Sequence, residues 1–143
     1  MASPPSAHLR QIMSPHVVTV SMDDSLRIVR QLFEQHGFHH LLVVDGRRLV
    51  GVISDRDLLR HVSPFVGHDL TERTQDAATL NKRVHQIMTR APISARPDAT
   101  FDQAIRLILE HRISCLPVVD EQSHPIGIVT SRDLLKALAP NQN

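Results

Sequence analysis

Apolar residues along the chain fall into short blocks of two kinds, and the blocks recur in the same order twice. Val17 to Val20 is a compact block that predicts a short strand. Leu26, Val29, Leu32 and Phe33 are spaced as one face of a helix over Leu26 to His36, and Gly37 supplies a residue that accepts a left-handed stop. His40 to Val44 and Leu49 to Ile53 are almost continuously apolar and flank Asp45-Gly46, which predicts a strand pair across a tight turn, buried on both faces. The order then returns: a strand at Ile93 to Ala95, a helix at Phe101 to His111, and strands at Cys115 to Val119 and Ile126 to Val129 joined by the longer connection Asp120 to Pro125.

The recurrence extends to residue identity. Gln11-Ile12-Met13-Ser14 is answered 75 positions later by Gln86-Ile87-Met88-Thr89, and Asp23, Leu32, His36 and Val43-Val44-Asp45 are answered by Asp98, Leu107, His111 and Val118-Val119-Asp120. After one inserted residue, Gly51 to Leu59 is answered by Gly127 to Leu135 at an offset of 76. The chain is a tandem duplication of an α+β (α/β-like) unit with the order βαββα, expected as repeat 1 over 8–65, a linker over 66–82 and repeat 2 over 83–140. The linker expectation rests on the polar stretch Ser63 to Asn81 with Pro64 and Gly67, with a helical turn after Asp69. The tails Met1 to Ala7 and Pro140 to Asn143 are expected to be disordered.

Composition narrows the function. A chain of 143 residues with 41% hydrophobic residues hides roughly 68 to 70% of its unfolded surface, enough for a real core. Lys plus Arg number 16 against 15 Asp plus Glu, spread along the chain, so neither a nucleic-acid nor a membrane-surface footprint is present. With no Trp or Tyr and four Phe, aromatic platforms for single-stranded nucleic acid are lacking, and any bound base must lie mainly against aliphatic side chains. The single cysteine, Cys115, and a start without basic and apolar signal segments lead to the expectation of a reducing, cytoplasmic location. The longest apolar runs, four or five residues, are far below the roughly 18 that span a bilayer.

The segments that carry chemistry are the two strand-to-helix junctions, Gly51 to Asp57 and Gly127 to Asp133. In each a hydroxyl, Ser54 or Thr130, is followed three residues on by Asp57 or Asp133. A hydroxyl beside the free N–H groups of a helix start suits phosphate oxygens. A carboxylate one turn on repels phosphate but accepts two hydrogen bonds from a ribose diol. Arg56 and Arg132 stand as counter-charges for phosphate. The same spacing is also the capping box that starts many helices, so the residues alone leave both readings open.

These junctions, together with Ile113-Ser114-Cys115-Leu116-Pro117-Val118-Val119-Asp120, make the chain resemble a tandem cystathionine β-synthase (CBS) domain pair, or Bateman module, over nearly all of Leu9 to Leu138. The resemblance implies two pseudo-symmetric CBS repeats packed through their sheets, with clefts for adenosine-containing ligands: AMP, ADP, ATP or S-adenosylmethionine. It implies phosphate and ribose contacts for Ser54, Asp57, Thr130 and Asp133. Adenine contacts are implied for the opening strands Val18, Thr19, Val20 and Ile93, Ser94, Ala95. His39 falls where some relatives place a basic phosphate contact, while repeat 2 has Ser114. Leu42 stands where repeat 2 has Pro117 and the family usually has Pro, so the two clefts are expected to differ.

Several other residues are set aside. Ten histidines show no chelating spacing, and adjacent His39 and His40 on a strand point to opposite faces, so no metal is expected. His36 and His111 end their helices, where a cation complements the dipole. Cys115 opens an apolar strand and has no base beside it, which marks a small buried hydrophobe rather than a nucleophile. His68-Asp69 reads as a solvated pair in the linker. The expected function is a non-enzymatic regulatory module that needs no cofactor, binds an adenine nucleotide and signals to an unidentified effector protein. The alternatives are a nucleotide-acting enzyme and an RNA-binding accessory protein. Leu107 and Leu109 are apolar outside the core face formed by Phe101, Ala104, Ile105 and Ile108, so a second buried face, and with it a homodimer, is expected.

Overall fold

The computed structural model describes residues 7–62 and 78–139. The helical turn expected after Asp69, the His68-Asp69 pair and nearly all of both tails lie outside the described residues. Ala7 is the exception: its carbonyl accepts a hydrogen bond from Phe101 N–H at 3.1 Å, so this residue is tied down, contrary to expectation. The elements in chain order are α1 (Leu9–Ile12), β1 (Thr19–Ser21), α2 (Leu26–His36), β2 (His40–Asp45), β3 (Arg48–Ser54), α3 (Asp55–His61), a 3-10 turn (Thr79–Asn81), α4 (Val84–Ile87), β4 (Thr89–Arg90), α5 (Phe101–His111), β5 (Cys115–Val119), β6 (Pro125–Thr130) and α6 (Ser131–Leu138). The fold is therefore mixed α and β, built on the duplicated pattern. Helices α2 and α5 and strand β5 have the limits read from periodicity, and Gly37 closes α2 in the left-handed conformation at φ 71°.

The chain divides into two compact units that do not coincide with the two stretches of repeat. Among the described residues, the first unit holds 18–46, 50–62 and 78–91. Its sheet has the order β1-β2-β3-β4, with β1 parallel to β2 and β4 antiparallel to β3. Val20, Leu26, Val29, Leu41, Val43, Ile53, Leu58, Val84 and Met88 form its core. Val84 and Met88 belong to α4 and its C-cap, which open repeat 2 in sequence yet pack within the first unit. The second unit holds residues 47–49 and 92–139 of the described chain together with residues 7–17, so that α1 packs with the second repeat. Its core is Leu9, Ala95, Phe101, Ala104, Ile108, Leu116, Val118, Val129 and Leu134.

The two short helices dock by the same hydrogen bonds. The free N–H groups of α1, on Leu9 and Arg10, donate to the carbonyls of Ala99 and Pro97 at 2.9 and 3.1 Å. In α4 those of Val84 and His85 donate to Asp24 and Met22 at 2.9 and 3.0 Å. Orphan donors of a four-residue helix are thus satisfied by the loop before the longer helix of the same unit.

The opening strands depart from expectation. In the first repeat the strand is Thr19–Ser21 rather than Val17 to Val20, although Val18 O still accepts from Leu42 N–H at 3.4 Å. In the second repeat Ile93 to Ala95 is not a strand: Ala95 alone makes a parallel bridge to Val118. Its N–H donates to Pro117 O and its carbonyl accepts from Val119 N–H, both at 2.9 Å. The reason is chemical. Pro117 occupies the position of Leu42 and has no N–H, so the bond that would extend the ladder towards Ile93 cannot form.

Candidate functional site

Each junction begins as a buried strand that turns into a helix at a hydroxyl residue. Ser54 at the start of α3 and Thr130 at the start of α6 have nearly the same backbone, φ −104° and ψ 164° against φ −105° and ψ 164°. Ser54 N–H donates to Asp57 Oδ2 at 2.9 Å, and Asp57 N–H donates to Ser54 Oγ at 3.1 Å. In the other unit Thr130 N–H donates to Asp133 Oδ2 at 2.9 Å, and Asp133 N–H donates to Thr130 Oγ1 at 3.2 Å. Both junctions are reciprocal capping boxes. Capping does not exhaust the groups: each carboxylate uses one oxygen in the box, and each hydroxyl accepts from the helix while its own proton can still be donated outward. Arg56 and Arg132 are exposed on the first turn of each helix.

Sheet topology brings the other expected residues to the same end. In a parallel pair the starts of β1 and β2 coincide, and β3 returns to finish beside them. His39 O accepts from Asp55 N–H at 3.0 Å, Ser114 O accepts from Ser131 N–H at 3.0 Å, and Val18 O bonds the β2 backbone. Val18, His39, Ser54 and Asp57 therefore share one end of the sheet, as do Ser114, Thr130 and Asp133 in the second unit, whereas Ala95 lies beside Val118 towards the other end of β5. Not all of the expected side chains are available there. Val20 and Ala95 are buried and belong to the two cores, whereas Val18, Ile93 and Ser94 are half-buried and Thr19 is exposed. Pro117 is likewise buried, so it shapes the second junction through its carbonyl bond to Ala95.

The glycine that opens each motif has a packing role. A Cβ on Gly51 would lie 2.7 Å from Met88 Sδ and 3.0 Å from Thr89 O, and one on Gly127 would meet Met13 Sδ and Cγ and lie 3.1 Å from Ser14 O. The repeated Gln-Ile-Met segments and the repeated glycines are thus two halves of one contact, which spacing along the chain does not reveal.

The first junction carries a pairing that sequence reasoning did not assign, between His39, expected as a phosphate contact, and Asp55. His39 Nδ1 donates to Asp55 Oδ2 at 2.7 Å, and the second junction has Ser131 in the place of Asp55, with its Oγ 3.4 Å from Ser114 O. His40, on the first residue of β2, has its pKa lowered from 6.5, first by burial and then by His39 and Arg56, against the opposing pull of Asp55 and Asp57. Burial pushes the Cys115 thiol up to about 12, with Asp133 adding to the effect, so it is no nucleophile at neutral pH. Among the described residues no group of three or more His, Cys, Asp or Glu is placed to hold a metal, and no helix is long and apolar enough to cross a membrane.

This arrangement, two copies of a strand–hydroxyl–helix junction on duplicated βαββα units, is that of a known family. The family model for the CBS domain matches residues 9–64 and 84–140, and the chain belongs to this family as a tandem CBS pair. Over 118 residues the chain is 34% identical to an inosine-5'-monophosphate dehydrogenase of Korarchaeum cryptofilum, covering 82% of this chain but only 21% of the dehydrogenase. The CBS domain pair of protein MJ0100, solved with 5-methylthioadenosine and S-adenosyl-L-methionine, matches 93% of this chain and all of its own at 27% identity with a TM-score of 0.77. The CBSX2 protein, solved in complex with AMP, matches at 30% identity and a TM-score of 0.73, covering 92% of this chain and 95% of its own.

Proposed function

We propose that the chain is a non-enzymatic regulatory module that binds adenosine-containing ligands at the two strand-to-helix junctions and passes their occupancy to a partner protein. The observation that carries this reading is the pair of superposable junctions, each presenting a donor hydroxyl and a carboxylate oxygen at a helix start. Ser54 and Thr130, with Arg56 and Arg132, supply donors for the 5' substituent of the ligand, and Asp57 and Asp133 supply what a ribose diol needs. Val18 and Ile93 offer aliphatic surface at the same sheet ends for the base. The adenosyl compounds held by two solved CBS pairs support the ligand class. A signal follows if the ligand binds one conformation or assembly more tightly than another.

Because Asp57 and Asp133 cap their helices, replacement by alanine removes two functions at once. Asparagine separates them, since its carbonyl oxygen still accepts the Ser54 or Thr130 N–H while the charge is lost. Asp57→Asn and Asp133→Asn are expected to weaken binding about tenfold to a hundredfold, the loss of charge-assisted hydrogen bonds of roughly 1.5 to 3 kcal/mol. Their ligand-free melting temperatures should stay near that of the parent. Calorimetric titration with AMP, ATP and S-adenosylmethionine measures the first and thermal unfolding the second. Parental affinity in both single variants and in the double variant sinks the site assignment.

A further inference from the structure

The two junctions are the same in backbone and opposite in the hydrogen-bonding character of the side chains beside them. We propose, building on the ligand reading above, that the His39–Asp55 pair makes the first junction reject phosphate, so that phosphorylated adenosyl ligands occupy the second junction and unphosphorylated ones are accepted by both. The backbone cradles differ by about a degree at the N-cap, and the strand-to-helix hydrogen bonds, His39 O to Asp55 N and Ser114 O to Ser131 N, are both 3.0 Å. At the helix starts themselves the two sites therefore differ only in their side chains.

At the first junction the bond from Nδ1 to Asp55 Oδ2 fixes the tautomer. With Nδ1 engaged by Asp55, that nitrogen is not free to donate to a ligand phosphate. Asp55 adds a carboxylate next to Asp57, so the first turn of α3 holds two acids against the single cation Arg56. Acceptors and negative charge repel a phosphate and suit a ligand whose 5' substituent is a hydroxyl, an amine or a sulfonium. At the second junction Ser131 replaces Asp55, and the first turn of α6 holds one acid, Asp133, beside Arg132. The Ser131 hydroxyl makes only a long 3.4 Å contact to Ser114 O and can turn to donate to a phosphate oxygen. His40 behind the first junction is held neutral by burial and adds no compensating charge.

The test exchanges the pairs. Isothermal titration compares adenosine, AMP and ATP on the parent protein, on His39→Ser/Asp55→Ser, and on the reverse exchange Ser114→His/Ser131→Asp, with Asp55→Asn as a smaller change should the double variant fold poorly. One surface carboxylate near a phosphate changes affinity by about 3- to 30-fold, more for ATP than for AMP. The parent should bind one ATP per chain tightly and a second at least about tenfold more weakly. His39→Ser/Asp55→Ser and Asp55→Asn should strengthen the weak ATP site, the reverse exchange should weaken the strong one, and adenosine should be indifferent to all three. Two equal ATP sites in the parent, or an ATP isotherm that the exchanges leave unchanged while adenosine still binds, overturns the inference alone. Failure of adenosine, AMP, ATP and S-adenosylmethionine to bind the parent at all overturns the ligand reading on which it rests.

Discussion

Single residues carry two properties that the junction geometry makes measurable. His40 has a lowered pKa because burial disfavours the imidazolium, whereas in the unfolded chain it titrates near 6.5. The unfolded state then binds more protons than the folded one below that pH. Stability contributed by neutral His40 is accordingly present above about pH 6.5 and is lost as the pH falls towards the lower folded value. Thermal unfolding between pH 5 and 8 should show a shallower acid decline for His40→Gln than for the parent; equal slopes would mean that the imidazole is solvated. Cys115 behaves in the opposite sense, its thiol held protonated up to about pH 12 by burial. Iodoacetamide at pH 8 should leave it unmodified in the folded protein and alkylate it in urea, and rapid labelling without denaturant would contradict its place in β5.

At the scale of elements, the helix starts and the crossing segments do different work. The capping boxes at Ser54 and Thr130 begin helices of seven and eight residues, too short to hold together without caps and packing. Thr130→Ala should cost about 0.5 to 2 kcal/mol of ligand-free stability. Where the segment after α1 crosses β6, only glycine leaves room for the Met13 thioether and the Ser14 carbonyl. Gly127→Ala is expected to destabilise by about 1 to 3 kcal/mol, and Gly51→Ala by less, because its closest approach to Met88 is longer. Denaturant unfolding of Gly127→Ala, Met13→Ala and the double variant forms a cycle in which the two losses should be clearly less than additive. Full additivity would show that the contact does not set the cost.

For the whole molecule, the surface left apolar by α5 and α6 bears on assembly. Leu109 is 71% and Leu135 67% exposed, on helices that pack against each other, while Phe101, Ala104 and Ile108 fill the core. Exposed leucines in this number on adjacent helices are the feature expected of a buried face in a homodimer. Light scattering at micromolar concentration should give twice the chain mass, and Leu109→Lys/Leu135→Lys should return the monomer mass with the same far-ultraviolet spectrum. A monomeric parent would overturn the expectation of a homodimer.

The sequence by itself determined the duplication, the helices α2 and α5, the turn at Gly46 and the hydroxyl-to-acid spacing of both junctions, because each is a local pattern with a short-range physical cause. The capping box and the ligand-ready junction share that pattern, and only the three-dimensional arrangement showed that each carboxylate spends one oxygen on the cap. Tertiary structure also decided what sequence distance concealed. The Gln-Ile-Met segments form helices of four residues that are stable only where loop carbonyls receive their N–H groups, so their residence with the other repeat could not be read from propensity. Likewise the second opening strand reads as apolar and extended, yet it contracts to the single bridge at Ala95 because its would-be partner, Pro117, lacks the N–H on which a ladder depends.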